Sequence, residues 1–231
     1  MKFFKIFFFF AIPALLMAIG CSEEPTAPAK AQLEKKYEGV IVAVGDSLTE
    51  GLGVQEELAY PAVLEERLGE QGYRYQVVNA GISGETSSGT LSRINWVLTL
   101  KPDIVILVIG ANDGFRGIDP ELIKSNIRTI LKSLNEKNVT VVLGGMQMVQ
   151  NLGQDYTSAF AEIYPEVARS EDVIFIPFFL AGVAASRDLN QADGIHPTAE
   201  GYQVIVDNIA PHVIEAIKIH SRKENNHEKL F

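Results

Sequence analysis

The chain has one cysteine, Cys21, among its 231 residues, so no disulfide can form within it. Basic residues are also scarce: 20 Lys and Arg stand against 29 Asp and Glu, a formal charge of -9. That balance excludes a protein that grips nucleic acid through phosphate contacts, and an acidic surface mainly secures solubility. There is no internal repeat, no low-complexity tract away from the two ends and no cofactor motif. What remains is 47% hydrophobic, enough for one domain with a full core.

Only the N-terminus carries a long apolar run. MKFFKIFFFFAIPALLMAIGC places Lys2 and Lys5 ahead of an apolar stretch from Ile6 to Ile19, with Gly20 before Cys21. This is the layout of an export signal, and the stretch is shorter than the roughly 20 residues that span a bilayer comfortably. The cysteine at its end resembles the lipidation site of a bacterial lipoprotein signal, although Ala18 stands where such signals usually have leucine. Residues 1–21 are therefore read as a lipoprotein-type signal peptide that implies a periplasmic, membrane-anchored protein. A soluble periplasmic or secreted protein with an incidental Cys21 is the alternative. SEEPTAPAKAQLEKK follows, polar and with two prolines, so residues 22–37 are expected to form a flexible tether. The polar stretch from His220 to Phe231 is expected to be a frayed tail.

Between these ends, short apolar runs alternate with helical patterns. Strands are predicted at Val40–Val44, Tyr75–Val78, Ile104–Ile109, Val139–Leu143 and Val173–Ile176. Helices are predicted at Pro61–Leu68, Ser88–Leu100, Pro120–Asn135, Tyr156–Ala168 and Thr198–Ile219. The third is best signalled, with Asp119 to cap it, Pro120 in its first turn and a 3.6-residue apolar period from Leu122 to Leu134. Continuously apolar strands are buried on both faces, and their alternation with helices implies a parallel sheet between two helical layers. A three-layer α/β/α domain with a five-stranded sheet is expected over residues 38–219.

Such sheets bind ligands beyond the carboxyl ends of their strands. The segments there are GDSLTEG (Gly45–Gly51), NAGISGETS (Asn79–Ser87), GANDGFRG (Gly110–Gly117) and DGIHP (Asp193–Pro197). Ser47 in a glycine-flanked turn offers a hydroxyl at the mouth of the sheet. A serine needs a base to attack a carbonyl, which His196 can supply. Asp193, three residues earlier, can hold the imidazole in the right tautomer. Gly81 has a backbone N–H that a substrate can approach closely, and Asn112 has an amide donor. Taken singly, each segment also reads as an ordinary loop or turn. Asp193 and His196 are unlike a metal site, because no third ligand with suitable spacing lies nearby.

The four segments, in this order and spanning about Val40 to Ile219, resemble the signature blocks of the SGNH (GDSL) hydrolases. AFAEIYPEVA (Ala159–Ala168) and DVIFIPFFL (Asp172–Leu180) further resemble the branch with arylesterases and multifunctional thioesterase/lysophospholipases. The resemblance implies a flavodoxin-like sheet and a serine esterase with no cofactor. It also implies Ser47 as nucleophile, His196 as base, Asp193 as orienting partner, and an oxyanion hole of the Ser47 and Gly81 N–H groups with the Asn112 side chain.

Substrate is less legible. The loop after the fourth strand, GGMQMVQNLGQDY, offers Met146, Met148, Val149 and Leu152 as an acyl-binding wall, or equally as core packing. Trp96 and the Phe178–Phe179 pair read as core. His212, His220 and His227 read as surface or packing residues. Small-molecule or lipid esters and thioesters are the expected substrates. A carbohydrate O-acetyl esterase of the cell envelope is the alternative enzyme, and a non-catalytic tethered binding protein is the alternative of another class.

Overall fold

A computed structural model describes residues 37–148 and 152–228, with side chains up to Lys223. Five parallel strands form one sheet: β1 Gly39–Gly45, β2 Tyr75–Gly81, β3 Ile104–Val108, β4 Thr140–Gly144 and β5 Ile174–Ile176. Their order is β2-β1-β3-β4-β5. β3 and β4 are buried at every position, as continuously apolar strands require when helices cover both faces. Helices α2 (Tyr60–Glu70) and α7 (Ala199–Glu228) pack together, while α3 (Ser87–Thr99), α5 (Pro120–Asn135) and α6 (Gln154–Ser170) pack in succession. This is the three-layer arrangement expected from the sequence.

The chain runs from β1 outward to β2 and then returns to β3 on β1's other side. Loops leaving β1 and β3 therefore diverge at the carboxyl edge, and a crevice opens between them. Two short helices stand there, α1 (Ser47–Glu50) and α4 (Ala111–Phe115). Neither was expected, since four or five residues carry no readable period.

Three fully buried tyrosines support these loops from inside the core. The Tyr202 hydroxyl donates to Leu48 O at 3.0 Å, Tyr164 donates to Ile109 O at 2.8 Å, and Tyr60 lies 3.4 Å from Thr49 Oγ1. Burial pushes all three phenols above their ordinary range, so each stays neutral and able to donate.

Three expectations need correction. α7 does not fray at His220 but continues to Glu228, because HSRKENNHE contains no glycine or proline to stop it. Trp96 is not core: it is half exposed on α3, with the Arg93 guanidinium 5.8 Å from its ring. Tyr37, placed at the end of the tether, is already tied to the fold by its hydroxyl on Glu65 Oε1 at 2.7 Å. The signal, Cys21 and the rest of the tether lie outside the described residues. Among the described residues, no helix is long and apolar enough to cross a membrane.

Candidate active site

β1 ends at Gly45, and Asp46 turns the chain directly into α1. One Asp46 carboxylate oxygen accepts the Leu48 N–H at 3.0 Å, which caps the short helix, and Gly51 ends it in the left-handed region. Ser47 is thus the first helical residue after a buried strand, and its hydroxyl faces the crevice.

The loop carrying His196 comes from far along the chain. His196 Nε2 lies 2.9 Å from Ser47 Oγ, and His196 Nδ1 lies 2.7 Å from Asp193 Oδ2. An ionised carboxylate can only accept, so the proton between them sits on Nδ1, and Nε2 is left to accept from the serine hydroxyl. Asp193 Oδ1 accepts the N–H groups of Ile195 at 2.9 Å and His196 at 3.0 Å. The His196 ring, and then these two amides, hold the Asp193 carboxyl down at about 2. Gln191 fastens this loop to the serine-bearing one, donating to Leu52 O at 2.7 Å and Pro197 O at 3.0 Å. Nothing in its sequence context signals that task.

The donors for an oxyanion need one correction. Ser47 N–H has no hydrogen bond among the described residues, and Asn112, on α4, lines the crevice. Asn112 Nδ2 gives one N–H to Asp46 Oδ2 at 3.1 Å, which leaves the other free. Gly81 is different. Its N–H already donates to Asn79 Oδ1 at 3.0 Å, and it does not line the crevice. It must be glycine for another reason, because a Cβ there would overlap the Glu50 amide. Gly84, three residues on in the same NAGISGETS segment, does line the crevice, and its N–H has no partner among the described residues. Its φ of +76° suits glycine, and its carbonyl is held by Arg116 Nη2 at 2.9 Å.

Ser47 and His196 lie on the wall of a cavity of about 650 Å³. Met146 and Met148 line it as expected. Leu152 does not and is 40% exposed, and Val149 lies outside the described residues. Leu52, Phe115, Phe178, Leu180 and Ile195 are the other large apolar residues along its wall, beside Leu48 and three alanines. Phe178 was expected in the core with Phe179. Only Phe179 is buried, because neighbouring residues just past β5 face opposite ways.

Asp46 is perturbed in the opposite direction to Asp193. Burial pushes its carboxyl up to about 6, against the lowering effect of the Leu48 amide, the Asn112 amide and the nearby His196.

A serine hydroxyl, an imidazole and a carboxylate joined in line at the carboxyl edge of a parallel sheet define an α/β serine hydrolase. The model of the GDSL-like lipase/acylhydrolase family matches residues 43–204. The chain is 38% identical to esterase TesA of Pseudomonas aeruginosa over 172 residues, 74% of this chain and 86% of the relative. It is 32% identical to an arylesterase of Vibrio mimicus over 176 residues, 76% and 88%. It is 34% identical to thioesterase 1/protease 1/lysophospholipase L1 of Escherichia coli K12 over 171 residues, 74% and 81%. A crystal structure of TesA superposes with a TM-score of 0.74 at 36% identity, covering 77% of this chain and 99% of that one. The chain belongs to the GDSL-like lipase/acylhydrolase family and is a serine ester hydrolase of that family.

Proposed function

We propose that the protein hydrolyses carboxylic esters and thioesters of apolar acyl chains by two-step acyl transfer on Ser47. The observation that carries this reading is the unbroken hydrogen-bond line from Ser47 through His196 to Asp193, opening on an apolar cavity. His196 takes the Ser47 proton as Oγ attacks the carbonyl, and Asp193 steadies the imidazolium that forms. The Ser47 and Gly84 N–H groups and the free N–H of Asn112 receive the oxyanion. His196 then protonates the leaving alcohol or thiol. Water enters, gives its proton to His196 and releases the acid from Ser47 by the same steps in reverse roles.

A cavity of about 650 Å³ walled by Phe115, Met148, Phe178 and Leu180 favours chains longer than acetyl over a carbohydrate O-acetyl ester. We further infer that residues 1–21 direct export and that Cys21 carries a lipid anchor, with residues 22–36 spacing the catalytic domain from the membrane. Hydrolysis of p-nitrophenyl esters from acetyl to palmitoyl, beside a Ser47→Ala control, tests the reading. Activity with an optimum beyond acetyl that vanishes in the control supports it, and an acetyl optimum would favour the carbohydrate esterase.

A further inference from the structure

The carboxylate of Asp46 is fully buried, one residue before the nucleophile, and the steps above do not use it. Its two oxygens do separate tasks. Oδ1 accepts from Leu48 N at 3.0 Å, and Oδ2 accepts from Asn112 Nδ2 at 3.1 Å. Capping alone does not require an acid, since serine, threonine and asparagine cap as well without burying a charge. The second oxygen is what an uncharged cap of that size lacks.

A primary amide is nearly symmetrical in shape, and turned over it would present its carbonyl oxygen to the crevice. There it would repel an oxyanion instead of donating to it. An ionised carboxylate accepts only, so it binds the amide by its NH₂ end alone and aims the second N–H into the crevice. Because Oδ1 is held by the nucleophile's own helix, the carboxylate also fixes Asn112 relative to Ser47.

We propose that Asp46 is a positioning residue that selects the amide orientation of Asn112 and locks it to the helix bearing Ser47. The inference rests on the acyl-transfer reading above. The raised carboxyl is the expected cost of keeping this acceptor buried and dry.

The test compares kcat and KM for a p-nitrophenyl ester in wild type, Asp46→Ser, Asp46→Asn, Asn112→Ala and the Asp46→Ser/Asn112→Ala double variant. Serine caps the helix but is too short to reach Asn112. Asparagine caps it but offers no acceptor-only group. Circular dichroism and thermal melting check each fold. The expected result for both Asp46 variants is a kcat loss of about 10- to 100-fold with KM within about threefold, below the full loss of one oxyanion donor. The double variant is expected to be no slower than about threefold below Asn112→Ala, since a residue acting through Asn112 has nothing left to position. A kcat within about twofold of wild type in Asp46→Ser, or losses that multiply in the double variant, would overturn the proposal. So would failure of both cap-preserving variants to fold, which would make Asp46 a residue of the fold alone. An inactive wild type, or activity retained by Ser47→Ala, would instead sink the acyl-transfer reading.

Discussion

His196 Nε2 and Ser47 Oγ stand 2.9 Å apart although 149 positions separate them in the chain. The contact exists because β1 and the loop before α7 both end at the carboxyl edge of the sheet, where Gln191 ties one loop to the other. Gln191→Ala removes that tie without altering the side chains of Ser47, His196 and Asp193. Steady-state kinetics should show kcat falling about tenfold, because small misplacements of a base cost rate steeply. A change under twofold would mean the loop holds its place without Gln191.

Asp193→Asn should cut kcat by about 10²- to 10⁴-fold with the fold preserved. The amide would donate to Nδ1, drive the ring proton to Nε2 and leave no lone pair to accept from Ser47. With its carboxyl held at about 2, Asp193 is charged through the whole neutral and mildly acid range. Its contribution to stability is present above the ordinary 3.8 and is lost only as pH falls through about 2. Acid titration monitored by circular dichroism on the wild type and the variant checks the second point.

Asp46 has the opposite sign. Its folded-state value of about 6 lies above the ordinary 3.8, so its ionisation opposes folding. The penalty is absent well below 3.8, grows between 3.8 and about 6, and is complete above that. Asp46→Asn should therefore raise thermal stability at pH 8, by up to about 3 kcal/mol, and raise it little at pH 3. His196 is the nearby side chain that favours the ionised form, and the buried phenols of Tyr60, Tyr164 and Tyr202 stay neutral throughout. Melting curves at the two pH values decide the matter, and equal gains at both would refute this account of the group.

Two glycines of one segment should fail differently. Gly81→Ala drives a methyl group into the Glu50 backbone and should lower Tm by more than about 5 °C. Gly84→Ala meets nothing closer than Arg116 Nη2 at 3.7 Å but strains a φ of +76°. That variant should stay folded and lose kcat. A stable, active Gly81→Ala would show that the contact with α1 relaxes freely.

Phe178→Ala should raise KM for octanoyl and longer p-nitrophenyl esters several-fold and leave acetyl hydrolysis within about twofold. Removing one large apolar wall residue costs on the order of 1–3 kcal/mol of binding, and only for chains long enough to touch it. Equal losses at every length would place Phe178 in the support of the site instead.

The sheet was legible because its strands are apolar on both faces, and α5 because Asp119, Pro120 and the apolar period agree on one start. Ser47, His196 and Asp193 were legible because acyl transfer needs three distinct groups and the strand ends supply them. The choice between Gly81 and Gly84 was not, since both fall in one short segment and the end of β2 at Gly81 is not marked in the sequence. In the folded chain the Asn79 side chain takes the Gly81 amide, a local contact that residue types alone do not signal. Phe178 and Phe179 pose the same difficulty: composition marks both as apolar, and only the turn after β5 sends one to the core and one to the cavity. Trp96 shows the reverse case, a large apolar residue left on the surface beside a cation.

The most direct measurement is labelling with a fluorophosphonate probe followed by peptide mass mapping, on wild type, Ser47→Ala and His196→Ala. The account predicts one adduct, on Ser47, absent from the serine variant and formed far more slowly without the imidazole. No adduct in the folded wild type, or an adduct on another residue, would contradict it.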